Sequence, residues 1–181
     1  MKRVNYLLIF CILVCAFVTI IGEFDRGLVI VLKDSSIVLT LTFPYILKKV
    51  FKIDISEFLI FIWILFIFLS HYLGVTLEFY NKWYLFDKIT HFMSGVLSGG
   101  VSVLILEKVD CKKILFNILF ILSFTWFCAG MWEIFEFTCN YLFGGDAQRV
   151  VLTGVSDTMW DMIVAFFGSI IVCFVYYFRK K

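Results

Sequence analysis

Six ionisable side chains fall into three pairs, Asp87/His91, Glu133/Glu136 and Asp157/Asp161, each inside or at the edge of a strongly apolar segment. Residues three or four apart are neighbours on one helix face, so each pair presents its two groups together. Hard carboxylate oxygens beside an imidazole make a ligand set for a divalent cation, which would relieve the like-charge repulsion within the acidic pairs. Without an ion the same groups suit general acid-base work or proton relay. All six are candidate catalytic groups, and His91, Glu133, Glu136, Asp157 and Asp161 are the candidate metal ligands. Lys88, Arg149, Trp132 and Trp160 are candidate contacts to a substrate, the two bases through an anionic head group.

Each assignment has a plainer rival. Asp87 and Asp157 stand at helix starts, where a carboxylate caps free amides and complements the helix dipole. Asp161 lies a turn further in, and Glu133 and Glu136 lie toward a helix carboxyl end, so capping does not account for them. A charge at the centre of a span costs roughly 2.5 to 3.5 kcal/mol on the insertion scale. Repeated carboxylates at such places need partners, and His91 could be one of them by hydrogen bonding alone.

The elements that must position these groups are membrane spans. The chain has 181 residues, 62% hydrophobic and 20% aromatic, with one proline, which fits no ordinary soluble class. Apolar runs of spanning length cover residues 5–22, 56–78, 86–106, 114–137 and 158–178, against roughly 20 residues for a bilayer core. A weaker run, 28–47, contains Lys33, Asp34, Ser35 and Ser36. It reads as a full span or a re-entrant segment, and a full span makes the charges alternate. The expected fold is all-α: a polytopic transmembrane helical bundle of about six spans, a single integral membrane domain with both termini cytoplasmic.

That orientation puts Lys2, Arg3, Lys48, Lys49, Lys52, Lys108, Lys112, Lys113, Arg179, Lys180 and Lys181 inside, and only Arg26, Lys33, Lys82, Lys88 and Arg149 outside. Eleven bases against five obeys the positive-inside rule. Four acids are then inside and ten outside, giving +7 and −5, which together make the formal +2 of the chain. The three pairs come to one depth, near the outer surface, with His71 and Glu78 close to it. Aromatic residues cluster at the same level, and Tyr176 and Tyr177 mark the inner interface. The apolar start of the chain is long for a signal peptide and is followed by no small-x-small site, so it reads as a span.

Other features are quieter. The six cysteines show no Cys-x-x-Cys spacing and read as small packing residues. Ser94, Gly95, Ser98, Gly99, Gly100 and Ser102 form a small-residue stripe suited to close helix packing. Pro44 is expected to kink or end its helix. There is no Gly-x-Ser-x-Gly, no His-Glu-x-x-His and no phosphate-cradling glycine loop, and Gly144-Gly145 reads as an outer turn. The cytoplasmic bases are scattered, so nucleic acid is not an expected partner.

The segments Phe86-Asp87-Lys88-Ile89-Thr90-His91-Phe92, Trp132-Glu133-Ile134-Phe135-Glu136 and Asp157-Thr158-Met159-Trp160-Asp161-Met162 with Gly168 resemble the YjdF-like family of uncharacterised bacterial inner-membrane proteins. His71-Tyr72-Leu73-Gly74 is also similar to that family. More distantly, the chain resembles VanZ-like proteins, associated with glycopeptide (teicoplanin) resistance, which carry Asp-Lys-x-x-His, Glu-x-x-Gln and Asp-x-x-x-Asn on successive spans. Here Glu136 and Asp161 stand where those proteins have glutamine and asparagine. The YjdF-like resemblance implies a membrane location and no set reaction.

The expected function follows from the placement of the acids. The reading is a multi-pass protein of the bacterial plasma membrane with an outward-facing acidic site for a divalent metal ion of open identity. That site would act on, or recognise, an envelope lipid or lipid-linked intermediate, with membrane lipids as its surroundings. Whether it is an enzyme stays open, as does its oligomeric state. The alternatives are a proton- or cation-coupled transporter and a non-catalytic membrane assembly subunit.

Overall fold

The computed structural model describes residues 2–22, 28–50, 52–144, 146, 148 and 150–181. In chain order the helices are α1 (Lys2–Gly22), α2 (Leu28–Val50), α3 (Glu57–Ile67), α4 (Phe79–Lys82), α5 (Tyr84–Val109), α6 (Ile114–Phe143), α7 (Val150–Thr153) and α8 (Ser156–Lys180). α3 runs on without a break into π-helical turns over Phe68–Thr76. Among the described residues there is no strand.

Glu57–Thr76, Tyr84–Val109, Ile114–Leu142 and Ser156–Lys180 are long and apolar enough to cross a membrane. At about 1.5 Å per residue each reaches roughly 30 Å or more, the thickness of a bilayer core. The weaker run, expected as a span or a re-entrant segment, forms the one continuous helix α2. α6 continues past its apolar run to Phe143 and stops at Gly144, whose φ of 76° a side chain would resist. Glu133 and Glu136 therefore lie toward the carboxyl end of α6, as expected, with about two further turns beyond them.

The chain forms two compact units, Met1–Phe86 and Asp87–Lys181. In the first, α1, α2 and α3 pack on one another, burying Cys11, Cys15, Ile37, Leu41, Ile60 and Ile64. All six cysteines are free thiols. Helix α2 does not end at Pro44, one of the two outcomes expected there, for a reason visible on the next helix. A proline cannot donate to the carbonyl four residues earlier; here that carbonyl belongs to Thr40, and the Trp63 indole N–H donates to it across the α2–α3 contact at 2.8 Å. α2 therefore runs through Pro44 with the carbonyl satisfied.

In the second unit α5, α6 and α8 enclose Leu106, Ile121, Cys173 and Tyr176. The small-residue stripe sets how closely they approach. A Cβ on Gly95 would run into the Ala165 carbonyl, one on Gly168 into the Phe92 carbonyl, and one on Gly99 would press on the Val172 side chain. α5 and α8 thus meet backbone to backbone, as small residues allow in membrane helices. α6 is tied to the same seam by a 3.3 Å contact between the Ser98 and Thr125 hydroxyls.

The Trp63 bond gives a direct test of the first unit. Trp63→Phe is expected to cost about 1 to 2 kcal/mol in unfolding, and the cost should shrink when Pro44→Ala restores an amide donor to Thr40. Thermal unfolding of the four proteins of that double-mutant cycle in one detergent measures it. Equal losses with and without Pro44 would contradict the role given to the indole.

Candidate functional site

The first turns of α5 and α8 start side by side, held there by the glycine contacts below them, and they deliver the acidic groups to one place. Asp87 lies in the first turn of α5 and Asp157 in the first turn of α8, with Asp161 one turn deeper. The N-cap of α8 is Val155, which makes no side-chain cap, and the first-turn carboxylates have another partner. They converge instead on the Lys88 ammonium, with Nζ 3.0 Å from Asp87 Oδ2, 2.6 Å from Asp157 Oδ1 and 2.6 Å from Asp161 Oδ1. The Lys88 and Asp87 side chains are only 12% and 13% exposed, and those of Asp157 and Asp161 2% and 6%.

His91, one turn below Asp87, completes the cluster. Its Nε2 is 3.6 Å from Asp87 Oδ1 and 3.7 Å from Asp161 Oδ1. One ligand atom from each of Asp87, His91 and Asp161 lies within 4.8 Å of the others. Hydroxyls brace the backbone here: Thr90 Oγ1 donates to the Asp87 carbonyl at 2.7 Å and Ser94 Oγ to the His91 carbonyl at 2.7 Å.

α6 supplies the neighbouring carboxylates. Glu133 is buried and within electrostatic range of Asp87 and Lys88. Gln148 Nε2 donates to the Glu133 main-chain carbonyl at 3.0 Å and reaches Oε2 at 3.5 Å. Glu133 Oε1 is buried with no hydrogen-bond partner among the described residues. Glu136 lies half-buried one turn on, accepts the Trp132 indole N–H at 2.9 Å, and feels the charges of Glu133, Asp87 and Asp157.

The three sequence pairs therefore share one end of the second unit, but with unequal roles. The donor atoms that cluster tightly enough for an ion are those of Asp87, His91 and Asp161. Asp87 was not among the expected metal ligands, while Glu133, Glu136 and Asp157, which were, lie outside that trio. Lys88, expected to face an anionic head group, is the internal counter-ion of the carboxylates. Trp132 and Trp160 are about half exposed, at 48% and 52%, on the outside of their helices. Arg149 falls outside the described residues, and His71 and Glu78 belong to the first unit. Gln148 was missed, because a lone amide in an irregular loop has no periodicity to place it on Glu133.

With five carboxylates around one ammonium, the site holds an excess of acidic groups over basic ones, which a further cation would reduce. Breaking a buried pair by removing one partner costs about 3 to 5 kcal/mol. Lys88→Met is accordingly expected to lower thermal stability by an amount of that order, and adding Asp161→Asn should recover part of it. If Lys88→Met unfolds like the parent, the ammonium is not seated among the acids.

No curated protein and no solved structure gives a match to this chain. A family model described as a predicted membrane protein, DUF2238, matches residues 4–181, nearly the whole sequence. The motif-bearing helices and the first unit fall under one family description, and the chain belongs to the DUF2238 family of predicted membrane proteins.

Proposed function

We propose that this protein spans the bacterial plasma membrane six times with both termini in the cytoplasm, and that its acidic cluster faces outward. There the cluster binds a divalent cation and recognises or acts on an envelope lipid or lipid-linked intermediate. The observation that carries the reading is the trio Asp87, His91 and Asp161, whose ligand atoms lie within 4.8 Å of one another. Two carboxylates and an imidazole suit magnesium, manganese or zinc, with calcium favoured less by the nitrogen donor. The positive-inside count supports the orientation. The motifs shared with YjdF-like proteins, and more distantly with VanZ-like proteins, run through the same residues.

Chemically, a divalent ion beside the Lys88 ammonium would place two positive charges together, which suits the oxygens of a phosphate or pyrophosphate group. Asp157 would hold the ammonium. Glu133, with one buried oxygen unpartnered, would be the acid-base group closest to that pair, and Glu136 the next one along α6. Exposed Trp132 and Trp160 would lie at the lipid interface, where indoles settle. Arg149 remains a candidate contact to an anionic head group.

The transport reading has one supporting feature, the part-buried Ser98–Thr125 hydroxyl contact below the cluster. Fully buried Ile121 and its neighbours Leu106 and Cys173 stand between that contact and the other end of the unit. A polar path through these three helices is therefore interrupted by apolar side chains, and the surface-site reading ranks first.

Thermal unfolding of the purified protein after chelation, then with magnesium, manganese, calcium or zinc, tests the proposal. A binding ion at about 100 times its dissociation constant should add about 2.7 kcal/mol of stability. The gain should vanish in Asp87→Asn and Asp161→Asn and persist in Glu136→Gln. Unfolding that ignores all four ions would remove the cation from the account.

A further inference from the structure

The Lys88 ammonium and the candidate ion ligands have one oxygen in common. On Asp87 the two roles are divided: Oδ2 accepts from Lys88 Nζ at 3.0 Å, while Oδ1 faces His91 Nε2 at 3.6 Å. On Asp161 they fall on the same atom. Its Oδ1 accepts from Lys88 Nζ at 2.6 Å and also faces His91 Nε2, at 3.7 Å. Asp157, whose Oδ1 accepts from the same ammonium at 2.6 Å, lies outside the trio of ligand residues.

An ammonium has three N–H donors. Lys88 directs them at three carboxylates, two of them on α8, and this arrangement leaves no hydrogen for an anionic ligand. The lysine that the proposed function sets beside a phosphate is therefore engaged elsewhere until one of its bonds is given up.

An ion drawing on Asp87, His91 and Asp161 would break one of them. The 3.6 and 3.7 Å spacings between the imidazole nitrogen and the two carboxylate oxygens are slightly wider than the edges of a coordination shell with bonds of about 2.1 Å, roughly 3 to 3.4 Å. Small side-chain shifts would close them. An ion at that bond length from Asp161 Oδ1 would stand within about 5 Å of the ammonium, which is itself 2.6 Å from the same oxygen. A double and a single positive charge repel strongly at that range among side chains withdrawn from water. The ion would have three ligands to hold it. The ammonium rides on a flexible four-carbon stem and keeps Asp157 and Asp87 Oδ2 as partners, so the lysine is the group that yields.

We propose that a divalent ion and the Lys88 ammonium compete for Asp161 Oδ1. Without the ion Lys88 closes the site; ion entry moves the ammonium off Asp161 and frees one N–H for an anionic ligand. The inference rests on the ion site proposed above and adds an order of events to it, the ion first and the anionic ligand second. Asp157 keeps the displaced ammonium at hand, and Lys88 sets how tightly the ion is held.

Isothermal titration of the full chain in detergent micelles, after chelation, measures magnesium and zinc affinity for the parent, for Lys88→Met, and for Lys88→Met combined with Asp157→Asn. The double variant removes one charge of each sign, so it keeps the parent's net charge and all three ion ligands even if Lys88→Met folds poorly. It should bind the ion about tenfold or more tightly than the parent. In bilayer samples, dipolar dephasing of Lys88 ¹⁵Nζ by Asp161 ¹³Cγ should be lost at saturating magnesium while that by Asp157 ¹³Cγ is retained. A coupling from the same nitrogen to the ³¹P of added inorganic phosphate should appear with magnesium and vanish after chelation. Equal ion affinity in the parent and the double variant, or a Lys88–Asp161 coupling that survives ion saturation, would overturn the competition and leave the ion site standing. A ³¹P coupling present in both samples or in neither would overturn the order of events. No ion binding by any of the three proteins would overturn the ion site and this inference together.

Discussion

A lysine ammonium withdrawn from water among three carboxylates is stable only when each charge has its partner at hydrogen-bonding distance, and the second unit is organised around that constraint. Lys88 reaches Asp87 on its own helix and both Asp157 and Asp161 on α8. Desolvating four ionised groups is expensive, and their mutual attraction repays the cost only if the helices are held in register. Charge alone does not set that register. The glycine seam does, because Gly95 and Gly168 let α5 and α8 approach until a Cβ on either would strike the opposite backbone. Local sequence, helix contact and site geometry are thus one chain of cause, and a change in the seam would be felt at the ammonium.

The two ends of this unit carry opposite chemistry. Around Lys88 and His91 the side chains are acidic and mostly buried. Around Asn117 and Tyr176 they are basic and exposed, with a buried amide inside. Between them lie Ile121, Leu106 and Cys173, while the buried Ser102 and Ser169 hydroxyls bond to carbonyls of their own helices. A polar side chain satisfied by its own helix needs nothing from its neighbours, so these serines reduce bulk without opening a path. The first unit shows the complementary device. There a proline removes a donor, and a tryptophan on the adjacent helix replaces it.

Much of this was legible in the sequence because membrane helices advertise themselves by length and apolarity. Every apolar run corresponds to a helix, and the spacing of Asp87/His91 and Asp157/Asp161 placed each pair on one face. The small residues of α5 were readable as a packing seam, since a run of Gly and Ser in a span has few other uses. What the sequence did not carry is which acids meet. Spacing along one helix says nothing of rotation about the next, so Asp87 was left out of the ligand set and Glu133 and Glu136 put in. The partners of Lys88 were illegible for the same reason: a long flexible side chain can turn outward to a head group or inward to carboxylates, and its bonds to α8 depend on where that helix lies. Gln148 and the Trp63–Thr40 bond depend on contacts between elements, which periodicity within one element cannot reveal.

The seating of the Lys88 ammonium can be observed directly in a lipid bilayer. Dipolar dephasing between the lysine ¹⁵Nζ and the aspartate ¹³Cγ nuclei in solid-state NMR, assigned with Lys88→Gln, Asp157→Asn and Asp161→Asn samples, reports the separations. Besides Asp87 Cγ, the account predicts the Asp157 and Asp161 carboxyl carbons at about 3.5 Å from the nitrogen, as short charge-assisted hydrogen bonds require. Both disappear from the Lys88→Gln spectrum. Separations beyond about 6 Å to Asp157 and Asp161, too long for any direct hydrogen bond, would contradict it.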